Sequence, residues 1–358
     1  MQGSTTHRDI RSLSVDELTE LVRTLGQPAF RAKQVFEWIH QKQVTSFDDM
    51  TNLPKQLRLQ LSETYTFHVP TELASQVSRD GSRKYLLEFA DGVSVETVGM
   101  PSRKKLAVCI STQAGCAMGC AFCATGMHGL TRSLTAQEML DQVLHVAHDF
   151  NERVTSVVFM GQGEPFANYT ETMAALRKLN DPDGLAIGAR HLTVSTCGII
   201  PGIRRFSQIP EQFTLAVSLH SAIQTTRNQL MPGVKKFTLL RLHEALQEYT
   251  EKTGRRPSYE YAMIDGVNDT NAELDALVDF CQGTLCHVNL IQLNNVADSP
   301  LKPSAPERVE SFQKRLQMHG VETTIRASRG NDIDAACGQL KQRFRVLKDP
   351  VKGSNEEL

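Results

Sequence analysis

From residue 106 onward, short apolar runs alternate with segments of helical periodicity, and this alternation limits the folds that the chain can adopt. The runs are continuous and rich in β-branched residues, as expected for strands that are buried on both faces. Strands separated by single helices predict an α/β fold, a parallel sheet with its helices packed outside it. An open, partial barrel of the (βα)6 type accounts best for the pattern. The predicted strands are 106–111, 154–160, 191–196, 213–219, 258–263, 287–293 and 323–327, and the helices between them include 136–150, 168–179, 239–251, 272–281 and 305–318.

A small helical domain is predicted ahead of the barrel. Apolar residues recur at helical spacing over 14–65, and Ser14 is the expected N-cap of the first helix because Glu17 follows three residues later. Asp91-Gly92 is a hairpin turn signal between two short apolar strands. The predicted divisions are an N-terminal helical accessory domain over 1–83, a bridging β-hairpin over 84–105, the barrel over 106–346 and a C-terminal tail over 347–358.

The composition excludes several classes of protein. Eight cysteines in 358 residues, with three of them crowded into 116–123, suit a reducing compartment and a metal or redox role better than a disulfide framework. The N-terminus has no apolar segment of the signal-peptide type, and no stretch approaches 18 uncharged apolar residues. We therefore expect a cytoplasmic protein without a membrane partner. Because 39 Lys and Arg balance 40 Asp and Glu, any nucleic-acid site must be a local patch.

Three cysteines follow the first predicted strand of the barrel. Cys116, Cys120 and Cys123 have the spacing C-x3-C-x2-C on a glycine-containing loop. Three thiolates can hold three irons of a cubane cluster and leave the fourth iron open to a cofactor. A zinc site with His128 as the fourth ligand is the alternative, although zinc knuckles usually pair two C-x2-C motifs and the sequence has no second pair. Either interpretation places a metal centre at the end of this strand.

A C-x3-C-x2-C motif after the first strand of a βα barrel resembles the radical SAM superfamily, and Phe122 before the last cysteine also matches its pattern. The resemblance implies a partial radical SAM barrel with one 4Fe-4S cluster. It implies that the methionyl amine and carboxylate of S-adenosyl-L-methionine (SAM) bind the open iron. An electron, supplied by a donor such as flavodoxin or ferredoxin, would then cleave the sulfonium and release a 5′-deoxyadenosyl radical.

Glycines and polar residues follow the later strands, at the ends where barrel enzymes place their functional groups. Gly163 would let the backbone approach SAM, and Glu164 can accept a hydrogen bond from the SAM ammonium. For any single residue, a polar group satisfied at a strand end is an equally good interpretation. Their recurrence at successive strands favours cofactor binding. The candidates are Gly163, Glu164, Ser195, Ser218, Leu219, His220 and Asn294.

The most specific feature is Cys337 in the segment ACGQL near the C-terminus. A lone cysteine is usually a small buried hydrophobe. Here, however, ACGQL occurs together with GEP after the second strand and SLH at the fourth strand. From about Ser14 to Leu340 the chain resembles the RlmN and Cfr family of radical SAM RNA adenine methyltransferases.

The family resemblance implies roles for three residues outside the cluster motif. Cys337 would carry the methyl group, Cys109 would be its partner, and Glu96 matches the acidic active-site residue of the VET segment. The implied mechanism methylates Cys337 from one SAM, and a radical from a second SAM then activates the S-methyl group for addition to adenine. Cys109 would help to release the product and would form a disulfide with Cys337, which a reductant must reopen.

The resemblance also implies RNA as the partner: large-subunit rRNA, possible tRNA substrates, and an N-terminal domain that contributes to RNA binding. RlmN methylates C2 of adenosine in the peptidyl-transferase loop and in some tRNAs next to the anticodon, whereas Cfr methylates C8. Segments 28–61 and 180–196 favour C2, but Cys197, Gln162, Gln292 and Ser221 depart from the family pattern and leave C8 open. Two rivals are a non-catalytic RNA-binding protein with a structural cluster and a radical SAM methyltransferase for peptides or small molecules. The pair of Cys109 and Cys337 argues against both.

Overall fold

A small helical unit with its own apolar core opens the structure, a computed structural model that describes residues 7–42, 44–293, 300–326 and 333. The first helix begins at a capping box, as the sequence predicts: Glu17 N donates to the Ser14 hydroxyl at 3.1 Å, and Ser14 N donates to the Glu17 carboxylate at 2.8 Å. Leu18, Val22 and Leu57 are buried in this core. The elements of the unit are β1 (Arg8–Asp9), α1 (Val15–Thr24), α2 (Phe30–His40), α3 (Lys55–Thr64) and β2 (Tyr65–Thr66), with β1 and β2 paired in parallel.

A ten-stranded sheet forms the rest of the scaffold. The first four strands pair antiparallel with one another. From the fourth strand onward, each described pairing with the next strand is parallel. The strands, in their order across the sheet, are β3 (Thr71–Val77), β4 (Arg83–Glu88), β5 (Ser94–Ser102), β6 (Lys105–Cys109), β9 (Val154–Phe159), β10 (Leu192–Thr196), β11 (Thr214–Ser218), β12 (Ser258–Met263), β13 (His287–Gln292) and β14 (Glu322–Arg326). A separate hairpin pairs β7 (Gln113–Gly115) with β8 (Leu130–Ser133).

Helices connect successive parallel strands, and the α/β fold of a partial radical SAM barrel with an N-terminal helical unit is confirmed. Leu140, Leu176 and Leu242 are among the helix residues that pack against the sheet in the main apolar core. In the described part of the chain, no helix combines the length and the apolar composition that a membrane span requires. The helices are α4 (Ala136–Phe150), α5 (Tyr169–Asn180), α6 (Ile200–Phe206), α7 (Gln224–Leu230), α8 (Leu239–Thr253), α9 (Asn271–Cys281) and α10 (Pro306–Met318).

The parallel part of the sheet curls into an incomplete barrel. In the strand order, β14 is five positions away from β9, yet Arg326 Nη1 at the end of β14 lies 3.4 Å from Met160 Sδ, directly after β9. A flat sheet would keep these strands more than 20 Å apart, since neighbouring strands are about 4.8 Å apart. Side chains at the carboxyl ends of distant strands therefore face a common interior.

The helical unit docks onto the outside of the barrel through buried charges. Arg11 Nη1 lies 2.5 Å from Asp141 Oδ1 on α4, and both side chains are buried. Lys178 Nζ on α5 donates to the carbonyl of Arg11 at 3.2 Å. The apolar cores of the two units remain separate clusters. The domain boundaries deduced from the sequence stay predictions.

Candidate active site

A cavity of about 360 Å³ lies at the carboxyl ends of the parallel strands. This is the end of the barrel where the sequence predicts functional groups. The cavity brings together residues that are more than 200 positions apart in the chain. Nine of the predicted site residues line it: Cys109, Cys116, Cys120, Cys123, Gly163, Glu164, Ser195, Ser218 and His220.

The cysteine loop over 116–123 is held by backbone hydrogen bonds to the last residue of α7 and to the segment that follows it. Ala121 N donates to Leu230 O at 2.9 Å, and Gly233 N donates to Met118 O at 2.9 Å. A Cβ on Gly233 would lie 2.6 Å from Met118, so only glycine permits this approach. The loop is thus fixed against the fourth βα unit, with its three thiols at the cavity.

The three thiols fit a metal cluster better than they fit solvent. Burial raises the pKa of Cys116 to about 11 and also raises the pKa of Cys120, so thiolates form here only when a cation shares their charge. A structural zinc site takes four protein ligands, and the cysteine loop supplies three. A cubane instead binds each thiolate on a different iron. The side chain of His128, the alternative zinc ligand, lies outside the described residues.

Glu164 presents a buried carboxylate to the cavity. Its Oε1 accepts from Phe166 N at 2.9 Å, and its Oε2 accepts from Cys197 N at 2.7 Å. Burial raises the pKa of Glu164, whereas these N–H donors favour the carboxylate form. The preceding Gly163 has φ +101°, and a Cβ there would lie 2.6 Å from Gln113. A carboxylate held in this way is suited to accept a hydrogen bond from an ammonium group.

His220 is a neutral hydrogen-bond donor at the cavity. Its Nδ1 accepts from Ala262 N at 3.0 Å, and burial lowers the pKa of His220 to about 3, so Nε2 carries the proton. The ring packs against Phe122 with centroids 4.4 Å apart. His220 has φ +55°, a left-handed conformation that non-glycine residues rarely adopt and that is common at functional sites. Ser195 and Ser218 line the cavity at the ends of β10 and β11.

Four predicted residues do not line the cavity or cannot be placed there. Leu219 is buried in the barrel core, and its amide donates to Glu260 O at 3.0 Å. Glu96 on β5 is buried, and its Oε2 lies 2.9 Å from Lys84 Nζ. Asn294 and Cys337 lie outside the described residues.

Glu260 and Arg326 also line the cavity, although neither was a candidate in the sequence. Glu260 stands in the middle of β12, where the other residues of the strand are apolar or uncharged. A charged residue inside a strand predicted to be buried on both faces was the available signal, because a buried charge requires a partner. Arg326 ends the last described strand and gave no such signal.

Known proteins share both units of this architecture. Residues 8–66 match the family model of the ribosomal RNA large subunit methyltransferase N-terminal domain, and residues 110–281 match that of the radical SAM superfamily. The chain is 46% identical over 335 residues to a probable dual-specificity RNA methyltransferase RlmN from Symbiobacterium thermophilum, covering 92% of this chain and 90% of that protein. A protein of the same description from Staphylococcus aureus is 45% identical over 344 residues, covering 95% and 94%.

The crystal structure of a radical SAM methyltransferase from Sphaerobacter thermophilus matches the fold with a TM-score of 0.89 and 42% identity, covering 93% of this chain and 98% of that one. Radical SAM proteins use a 4Fe-4S cluster and SAM, and the three thiols beside Glu164 fit that requirement. The arrangement of two matched domains along nearly the full length of these relatives is decisive. The chain belongs to the RlmN family of radical SAM RNA methyltransferases.

Proposed function

We propose that the protein methylates C2 of an adenosine in the peptidyl-transferase loop of 23S rRNA, and of an adenosine next to the anticodon in tRNA, through an S-methylcysteine on Cys337. The observation that supports this most is the position of Cys109. It lies on the first strand of the barrel, yet it lines the same cavity as the three cluster thiols and Glu164. A thiol in the cofactor cavity that does not belong to the cluster motif is what a methyl-carrying cysteine needs as its partner.

The residues of the cavity have separate roles in binding the cluster and SAM. Cys116, Cys120 and Cys123 hold the cluster, while Glu164 accepts from the SAM ammonium and His220 donates from Nε2. When bound, the cluster and SAM supply the methyl group and the radical chemistry that methylation of a non-nucleophilic carbon requires.

Cys109 assists the loss of the base proton and then bonds to the Cys337 sulfur. This bond forms after the protein–RNA adduct has lost the base proton and one electron, and the bond between the Cys337 sulfur and the methylene carbon breaks as it forms. The electron pair stays with the carbon, which takes up a proton and leaves as the methyl group of the product, while an external reductant must reopen the disulfide between Cys109 and Cys337.

The substrate base must leave its stack to reach this chemistry. A paired duplex is too wide for a cavity of about 360 Å³, so the base must be unpaired and extruded to reach the reacting groups. The N-terminal unit supplies RNA-binding surface outside the cavity. We also infer a cytoplasmic location, where rRNA and tRNA are found, and an electron donor such as flavodoxin or ferredoxin.

The roles of the two cysteines predict different failures. Cys337→Ala should bind the cluster and SAM but form no methylated protein, whereas Cys109→Ala should accept the methyl group and stall with RNA covalently attached. Denaturing gels and peptide mass spectrometry of protein purified from cells detect both species. Cys281→Ala is the matched control because that thiol is buried in the barrel core and does not line the cavity. A Cys109→Ala protein without crosslinked RNA, or an active Cys337→Ala protein, would refute these roles.

Deuterium at a chosen carbon of the substrate adenosine identifies the methylated position. Methylation at C2 should remove a C2 label and retain a C8 label in the product, as read by mass spectrometry. The reverse pattern would assign C8 methylation. Retention of both labels without any methylation would favour a non-catalytic RNA-binding protein.

A further inference from the structure

Cys109 has a second set of neighbours in the cavity besides the cysteine loop. Its sulfur accepts a hydrogen bond from the backbone amide of Met160. The Met160 side chain in turn contacts Arg326, whose Nη1 lies 3.4 Å from Sδ. These three residues come from β6, the end of β9 and β14, and all line the cavity. The curl of the barrel thus places a guanidinium beside the wall that carries Cys109.

Glu260 orients this guanidinium. Its Oε2 lies 3.5 Å from Arg326 Nη1, and within the described residues Oε2 receives no hydrogen bond. The other oxygen, Oε1, accepts from Asn289 Nδ2 at 2.8 Å and from Ser258 Oγ at 3.1 Å. The Glu260 side chain is 5% exposed, whereas the Arg326 side chain is 41% exposed. A fixed, buried carboxylate therefore holds one side of an arginine that reaches the cavity mouth.

Three charged groups, Arg326, Lys84 and Glu96, act directly on the Cys109 thiol. Lys84 on β4 and Glu96 on β5 act on it with opposite signs, and they form an ion pair of 2.9 Å, so their effects largely cancel. Glu260 acts through its ion pair with Arg326. Burial raises the pKa of Cys109 to about 11, and the strongest opposing charge is that of Arg326.

We propose that Arg326, oriented by Glu260, is a positioning residue for Cys109 that stabilises its thiolate form. This inference rests on the proposed function, in which Cys109 takes part in proton removal and in disulfide formation. A cysteine can accept a proton or attack sulfur only as a thiolate. Because burial raises the pKa of Cys109 to about 11, only a small fraction of the thiol is ionised at neutral pH, and the charge of Arg326 increases that fraction. Arg326 makes no bond to the substrate in this role.

The rate at which iodoacetamide alkylates Cys109 measures the thiolate directly. The cluster-loaded enzyme is treated over a range of pH without RNA or SAM, and peptide mass spectrometry follows Cys109 alone. Arg326→Gln should slow alkylation about three- to tenfold at each pH below the thiol pKa, because it removes a nearby positive charge. Arg326→Lys should restore most of the rate. Since lysine and glutamine differ more in charge than in bulk, this contrast separates charge from access to the cavity.

Arg315→Gln is the matched control. Arg315 forms an exposed ion pair with Asp275 and does not line the cavity, so its loss should leave the Cys109 profile unchanged. Unchanged cluster absorbance in every variant would show that the barrel is intact. An Arg326→Gln profile that superimposes on that of the parent protein, or a slowing that Arg326→Lys fails to reverse, would overturn the inference.

This test can fail independently of the proposed function. If Cys109→Ala still methylates RNA, the proposed function fails, whatever the alkylation rates show. If Cys109→Ala stalls with crosslinked RNA but Arg326→Gln leaves Cys109 equally reactive, only the role of Arg326 fails.

Discussion

The N-terminal helical unit and the barrel each bury an apolar core but differ in what else they enclose. The barrel surrounds a cavity lined with thiols, carboxylates and a histidine, and among the described residues this lining begins at Met100. The N-terminal unit has a separate apolar core and contributes no described residue to the cavity. The chemistry is therefore confined to one unit. The described residues of the other unit can therefore change without altering the lining of the cavity.

The two units also differ in how they are joined to their surroundings. Within the barrel, strands and helices meet through apolar side chains. Between the units, the buried Arg11 guanidinium contacts Asp141 of the barrel, and it also contacts Asp9 within its own unit. A buried ion pair fixes an orientation, but losing one partner leaves an uncompensated charge. The comparison predicts that the two units respond to different substitutions.

The largest effect is expected in the cavity. Cys120→Ala should abolish cluster binding and methylation together, because two thiolates cannot hold the cubane, while the N-terminal unit stays folded. Iron content, visible absorbance and product mass spectrometry give the three readouts. Cys286→Ala removes a buried thiol from the barrel core and should keep the cluster. If the unsubstituted protein were colourless and bound stoichiometric zinc after anaerobic reconstitution, the assignment of a 4Fe-4S cluster to these cysteines would be wrong.

Removing the charge between the units should destabilise the protein without removing the cluster. Arg11→Met leaves Asp141 buried without its partner and should lower the free energy of unfolding by about 3–5 kcal/mol. Urea unfolding measures this change. Arg204→Met, which breaks an exposed pair with Glu248, should cost less than about 1 kcal/mol. Equal costs for the two variants would show that the buried pair does not join the units.

The fold was largely predictable because its signals are local. Continuous apolar runs marked each described parallel strand of the barrel, and helix α4 has the predicted bounds because Thr135 and Glu138 form a capping box at its start. The short helices α6 and α7 escaped prediction, since seven residues hold too few helical repeats and tertiary contacts stabilise them. The strand β3 also escaped, because its exposed face weakens the apolar pattern.

The candidate site was predictable only in part. Strand-end residues such as Glu164 could be found, since parallel strands end at one edge of a sheet. The contact between Arg326 and Met160 could not be found, because it depends on how strongly the whole sheet curls. The pairing of Glu260 with Arg326 has the same origin. Long-range geometry of this kind leaves no pattern along the chain.

The next largest effect is a pH dependence in the N-terminal unit. Burial lowers the pKa of His40 to about 3 from an ordinary value near 6.5. The unfolded chain therefore binds a proton below about pH 6.5 that the folded chain excludes. Stability is complete above that pH and is lost as the pH falls towards 3. We expect a loss of about 2 kcal/mol at pH 5 from this residue alone.

His40→Phe should flatten the pH dependence of unfolding between pH 7 and pH 5. Phenylalanine cannot titrate, and it keeps the ring that packs against Phe36 at 4.3 Å. Urea unfolding at several pH values provides the measurement, with His319→Gln on the surface as the control. A His40→Phe protein as acid-sensitive as its parent would place the relevant proton elsewhere.

The smallest expected effect separates the two units most cleanly, because each contains the same capping box. Ser14 caps α1 in the N-terminal unit, with Glu17 N donating to its hydroxyl at 3.1 Å, and Thr135 caps α4 in the barrel, with Glu138 N donating at 3.2 Å. Ser14→Ala and Thr135→Ala each remove one such acceptor and should each cost about 1 kcal/mol. If the separate cores unfold separately, hydrogen exchange should show Ser14→Ala weakening protection in α1 to α3 and Thr135→Ala weakening protection in the barrel. Equal loss of protection in both units from either variant would mean that the buried charges at Arg11 join them into one cooperative unit.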